Sequence, residues 1–120
     1  MSANSIELYD NLSYNYIMIL IGKKLIAAFG SSYPYSKKPL AAWELIIKQT
    51  NYSGFNGLRQ TFPSADYVSH QYTIFNIGGN KYRLVTEIDY SASVVNVKRV
   101  WTHAEYSIKK NEDAIRRNKI

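Results

Sequence analysis

The sequence predicts an α+β fold, a small and mainly antiparallel sheet packed against helices in the order β-α-α-β-β-β-α. Three observations predict it. Apolar residues in the first half recur at helical spacing, whereas from Tyr72 onward the period changes to two. The triplet Gly78, Gly79 and Asn80 interrupts that alternation where a tight hairpin needs positive φ. At 120 residues the chain has room for one core, so one domain is expected over residues 18–120. Residues 1–17, rich in Asn, Ser and Tyr and without clear period, are an N-terminal extension left unassigned.

Residues 17–21 are short, apolar and rich in isoleucine, which suits a buried strand. Residues 22–29 place Leu25, Ile26 and Phe29 on one face of a short helix, which Gly30 and Pro34 should end. Ser36 is a candidate N-cap for a second helix, with Pro39 tolerated in its first turn and Leu40, Trp43 and Ile47 forming a core-facing stripe. Residues 57–62 have the length of one helical turn before Pro63. Strands follow over residues 72–77, 82–90 and 94–101, with Ser91, Ala92 and Ser93 as the second turn. Thr102 and Glu105 form a capping-box pair that starts a final, largely solvated helix of alternating charge.

Composition limits the chemistry. Without cysteine there is no disulfide scaffold, no Cys-ligated zinc and no thiol nucleophile. Fifteen Lys and Arg against nine Asp and Glu give a formal charge of +6, a surface suited to polyanions. The best apolar run is far short of the ~20 residues a bilayer requires, and Lys23 and Lys24 follow it rather than precede it as in a signal peptide. No membrane association and a cytoplasmic location are therefore expected.

The residues that could carry chemistry crowd into the last third. With Thr102 as N-cap, His103 takes the first helical position, among free N–H groups that attract phosphate and at the dipole end that disfavours a protonated imidazole. A neutral His103 could accept a proton, and Tyr106, three residues on and on the same face, could donate to a phosphate oxygen or stack on a base. Arg83 leaves the hairpin, and Lys98 and Arg99 lie on the neighbouring strand, where alternation predicts that they point to opposite faces. A base, a hydrogen-bond donor and fixed cations suffice for RNA cleavage without metal or cofactor, the 2′-hydroxyl attacking its own adjacent phosphate. Singly each residue has an ordinary structural role, such as strand-edge protection for Lys98 and Arg99. Their crowding carries the reading. His70, in a polar run, is not expected to take part.

Several segments together resemble the HigB family of RelE-like toxins. These are Phe75 to Asn80 (Phe-Asn-Ile-Gly-Gly-Asn), Arg83 to Val85, Val97 with Lys98, and Thr102, His103, Glu105 and Tyr106. Weaker likeness reaches upstream through Phe62, Pro63 and Ser64 to about Met18. The resemblance implies a RelE-like fold that cuts messenger RNA in the ribosomal A site and is held inactive by a cognate HigA-type antitoxin. It further implies that Arg83 contacts the scissile phosphate, that His103 and Tyr106 complete the active site, and that Lys98 adds positive charge. Family members often carry a basic residue after the His and an Asp after the Tyr, where this chain has Ala104 and Ser107, so one phosphate contact is either missing or supplied by Arg99 or Lys81. Two rival readings use the same surface: a non-catalytic RNA- or ribosome-binding module, and a protein-interaction domain that merely shares the scaffold.

Overall fold

The computed structural model of the chain describes residues 18–49 and 51–120; the extension over residues 1–17 lies outside them. Five strands form one sheet of spatial order β1-β5-β4-β3-β2, made of Ile19–Ile21, Asp66–Val68, Tyr72–Ile77, Tyr82–Asp89 and Val94–Thr102 as β1 to β5. All neighbours are antiparallel except β1, which runs parallel to β5. The helices are α1 (Lys23–Ser32), α2 (Lys37–Lys48), α3 (Phe55–Thr61), α4 (His103–Tyr106) and α5 (Lys109–Arg116). The α+β class and the three long strands agree with the sequence reading.

One sheet face carries the main core. Phe29, Leu40, Trp43, Ile47 and Leu58 from α1 to α3 pack on Phe75, Ile77, Tyr82, Leu84, Val95 and Val97. Gly22 permits the sharp entry to α1: its φ is +93°, and a Cβ there would stand 2.7 Å from the carbonyl oxygen of Val97. The opposite face carries a smaller cluster of Tyr72, Ile74, Val85 and Ile115, with Trp101 and Tyr106 packed against it. Ile115 belongs to α5, which folds back under the sheet.

Five expectations are corrected. β1 is an edge strand rather than a buried one, with Ile19 and Ile21 more than half exposed while Met18 and Leu20 reach the core. Ser36 precedes α2 but does not cap it; its buried hydroxyl donates to the Tyr33 carbonyl at 2.6 Å. The three-residue β2 was not predicted, being too short to show a period. The final helix is two helices, broken at Ser107 and Ile108, where Ile108 is extended at ψ 131° and Asn111 donates to the Glu105 carbonyl at 2.7 Å. The break turns α5 so that Ile115 can be buried.

The fifth correction concerns Lys98 and Arg99. The β4–β5 register steps from Val85 opposite Arg99 to Thr86 opposite Val97, a bulge that leaves Lys98 as the extra residue. Val97 and Val100, three apart, both pack on the main core. The two basic residues between them therefore share the other face, that of Arg83, instead of opposing one another.

Candidate active site

Arg83 is the second residue of β4, opposite Asn76 on β3 and Trp101 on β5, and its side chain lies on the face of Val85 and Ile74. Its place is set by the hairpin before it. Gly78 and Gly79 take φ of +63° and +73° as expected, but Asn80 does not need positive φ. Asn80 anchors the guanidinium instead. Its side-chain oxygen accepts from Nη2 of Arg83 at 2.6 Å, and its carbonyl accepts from Nη1 at 3.2 Å. A third acceptor is the Tyr82 carbonyl, at 3.1 Å from Nη1.

The fourth partner is His103. Nη2 of Arg83 lies 2.9 Å from Nδ1 of His103. A guanidinium can only donate, so Nδ1 accepts and the ring proton sits on Nε2. The imidazole thus offers a substrate a donor at Nε2, and the Nδ1 lone pair is already engaged. Four of the five N–H donors of Arg83 are bound within the protein, leaving Nε–H, and the residue is only 8% exposed.

His103 is held from both sides. Its backbone N–H donates to the Lys81 carbonyl at 2.8 Å, fastening the start of α4 to the hairpin. Before it, Thr102 and Glu105 close the expected capping box at 3.0 and 2.8 Å. A four-residue α4 sums few aligned peptide dipoles, so Arg83 rather than a long helix sets the surroundings of this ring.

The Tyr106 ring lies over the guanidinium, 5.7 Å from Cζ of Arg83, and is tilted 6.3 Å from Trp101. Burial, with the negative charges of Asp66 and Glu112, raises the phenol above the ordinary tyrosine range against the opposing pull of Arg83. Tyr106 therefore keeps its proton at neutral pH and acts as a donor.

Beside this trio lies a groove of about 350 Å³, lined by Arg59, Ser64, Asp66, Asn76, Arg83 and Tyr106 with Ala65 and Ile74 at its floor. Arg83, His103 and Tyr106 come together as expected from sequence, Arg83 and Tyr106 in the groove wall and His103 hydrogen-bonded to Arg83 next to it. The remaining basic residues stand outside the groove. Lys98 pairs with Glu87 at 3.4 Å, Arg99 is exposed with Nη1 donating to the Lys98 carbonyl, and the Lys81 side chain is exposed in the hairpin loop. His70 sits in the β2–β3 turn, at the opposite end of β3 from Asn76 and Arg83. Among the described residues no group of three or more His, Cys, Asp or Glu could hold a metal ion, and no helix is long and apolar enough to cross a membrane.

Two groove residues were missed from sequence. Arg59 lies on α3, where Nη2 donates to the Pro63 carbonyl at 3.0 Å. Asp66 opens β2, the strand too short to be read, immediately beyond the Phe62, Pro63 and Ser64 likeness, which was the available signal.

Comparison with known proteins gives the family. Residues 36–109 match the HigB toxin family model, described as the RelE-like toxic component of a toxin–antitoxin system. All the groove and trio residues fall inside that match. The chain is 32% identical over 92 residues to the mRNA interferase toxin HigB of Escherichia coli K12, covering 74% of this chain and 88% of that relative. The mRNA interferase HigB of Shigella flexneri gives the same figures, and that of Escherichia coli O6:H1 is 28% identical over 91 residues.

Proposed function

The chain belongs to the HigB toxin family, and from that premise we propose that it is a toxin that cleaves messenger RNA, working in the ribosomal A site and restrained in the cytoplasm by a HigA-type antitoxin. The observation that carries the catalytic reading is the convergence of Arg83, His103 and Tyr106 beside an open groove. An RNA strand in that groove presents its scissile phosphate to the Nε–H of Arg83 and the Nε2–H of His103, both aimed donors of the kind that stabilise a phosphorane. The 2′-hydroxyl attacks the adjacent phosphorus, the bond to the 5′-oxygen breaks, and the products are a 2′,3′-cyclic phosphate and a 5′-hydroxyl. The protonated phenol of Tyr106 supplies the proton that the leaving oxygen takes up.

In this scheme Arg83 acts in two ways. Its charge lies behind the phosphate, and its fork orients His103, which is why lysine cannot substitute for it. Lys81, Lys98 and Arg99, on the surface around the groove, attract the flanking strand and supply most of the salt dependence. Primer extension on messenger RNA after induced expression tests the proposal. Transcripts cut with the wild type, and intact with Arg83→Ala, His103→Ala or Tyr106→Phe, are expected. Intact transcripts with the wild type would overturn the ribonuclease reading and leave the two rivals, the RNA- or ribosome-binding module and the protein-interaction domain.

A further inference from the structure

Asp66 is the unexplained member of the groove. It is the one carboxylate in a wall that otherwise offers Arg59 from α3, Arg83 from β4 and the Tyr106 phenol from α4. Among the described residues its side chain makes no ion pair and no hydrogen bond. Aspartate is a poor strand former, yet it opens β2 opposite Ile74. An unpaired negative charge in a groove meant for a polyanion opposes binding, so a binding role does not account for it. Its charge also reaches the reacting groups, since it acts on the Tyr106 phenol.

The other groups near the scissile bond cannot take a proton from the substrate. Arg83 has no lone pair to offer. Tyr106 holds its own proton, and the free nitrogen of His103 carries one because Nδ1 accepts from Arg83. Resting on the proposed ribonuclease reaction, we infer that Asp66 is the general base that removes the proton of the attacking 2′-hydroxyl.

The step balances as follows. A carboxylate oxygen of Asp66 takes the 2′-proton while the 2′-oxygen forms its bond to phosphorus. The P–O5′ bond breaks, and the 5′-oxygen takes the phenolic proton of Tyr106, leaving a phenolate beside the guanidinium of Arg83. Water returns the proton from the Asp66 carboxyl to the phenolate, restoring both groups.

The test uses purified full-length wild type, Asp66→Asn, Asp66→Glu and Tyr106→Phe. Cleavage is followed on messenger RNA, ribosome-bound where free RNA is not cut, and affinity on a single-stranded oligonucleotide with a 2′-deoxy sugar at the cleaved position. Asp66→Asn is expected to lose cleavage on the order of a hundredfold or more while binding the oligonucleotide roughly two- to fivefold more tightly, because a repulsive charge is gone. Asp66→Glu keeps part of the activity. A substrate with sulfur in place of the leaving 5′-oxygen needs no proton there, so it restores Tyr106→Phe but not Asp66→Asn. An Asp66→Asn protein that cuts within about threefold of wild type, is rescued by the sulfur substrate, or binds RNA more weakly with a lowered melting temperature overturns the assignment alone. A wild type that cuts no RNA overturns the assignment together with the ribonuclease reading.

Discussion

Replacing Asn80 by alanine isolates the anchoring of Arg83. Asn80 is exposed and lines no part of the groove, and exposed substitutions ordinarily change stability by no more than about 0.5 kcal/mol. Here the side chain accepts a charge-assisted hydrogen bond at 2.6 Å from a guanidinium that is 8% exposed. Such bonds contribute about 1.5–3 kcal/mol. The exposed acceptor puts this one at the lower end, about 1.5 kcal/mol, which corresponds to a fall in melting temperature of about 6–12 °C. The same Nη2 also donates to His103, so releasing it lets the imidazole drift, and a misplacement near 1 Å lowers catalysis on the order of a hundredfold. Thermal unfolding by circular dichroism and single-turnover cleavage measure the two effects on one preparation. Lys81→Ala is the control for the melting temperature alone, because only its backbone carbonyl holds His103. An Asn80→Ala protein that melts within about 1 °C of wild type and cuts at the wild-type rate would refute the idea that the hairpin orients the trio.

Three further outcomes are expected. Ile115→Ala, at a site 2% exposed beneath Tyr72, Ile74 and Val85, lowers unfolding free energy by about 2–5 kcal/mol in urea titration, with cleavage falling as α5 loosens. Thr102→Ala removes the hydroxyl that caps α4 and lowers stability by about 1 kcal/mol, measurable in the same titration. Tyr106 has its folded-state value raised above the usual 10.0, so its contribution is whole below that pH and is lost as pH rises through and beyond it. Denaturant titrations from pH 9 to 11 should therefore show a smaller alkaline loss in Tyr106→Phe than in wild type. A residue of that loss remains from Tyr90, which burial raises in the same direction.

Much of this architecture was legible in the chain because it is locally encoded. The strand over Tyr72–Ile77 and the capping box at Thr102 are short-range patterns, and the structure reproduces both. What could not be read depends on distant partners. Nothing between Tyr106 and Lys109 breaks a helix by propensity; the break answers the need to bury Ile115 under another part of the chain. The bulge did leave a trace, since Val95 and Val97 are followed by Val100 rather than by an apolar residue 99, a step of three inside a period of two. The grouping of Arg83, His103 and Tyr106 was accessible because hairpin pairing and one helical turn suffice to bring them together. The far wall of the groove was not, because Arg59 and Asp66 reach it only through tertiary packing.

Arg83, His103 and Tyr106 all come from one contiguous stretch, a strand, its antiparallel neighbour and the first turn after it. Contacts so close along the chain close quickly during folding, ahead of any slow long-range search. On the proposed mechanism, a newly made copy would assemble this trio first and become armed only when Asp66 and Arg59 dock across the groove. The interval between those two events is a grace period set by folding, in which an inhibitor that grips the paired strands would intercept the chain before it can cut.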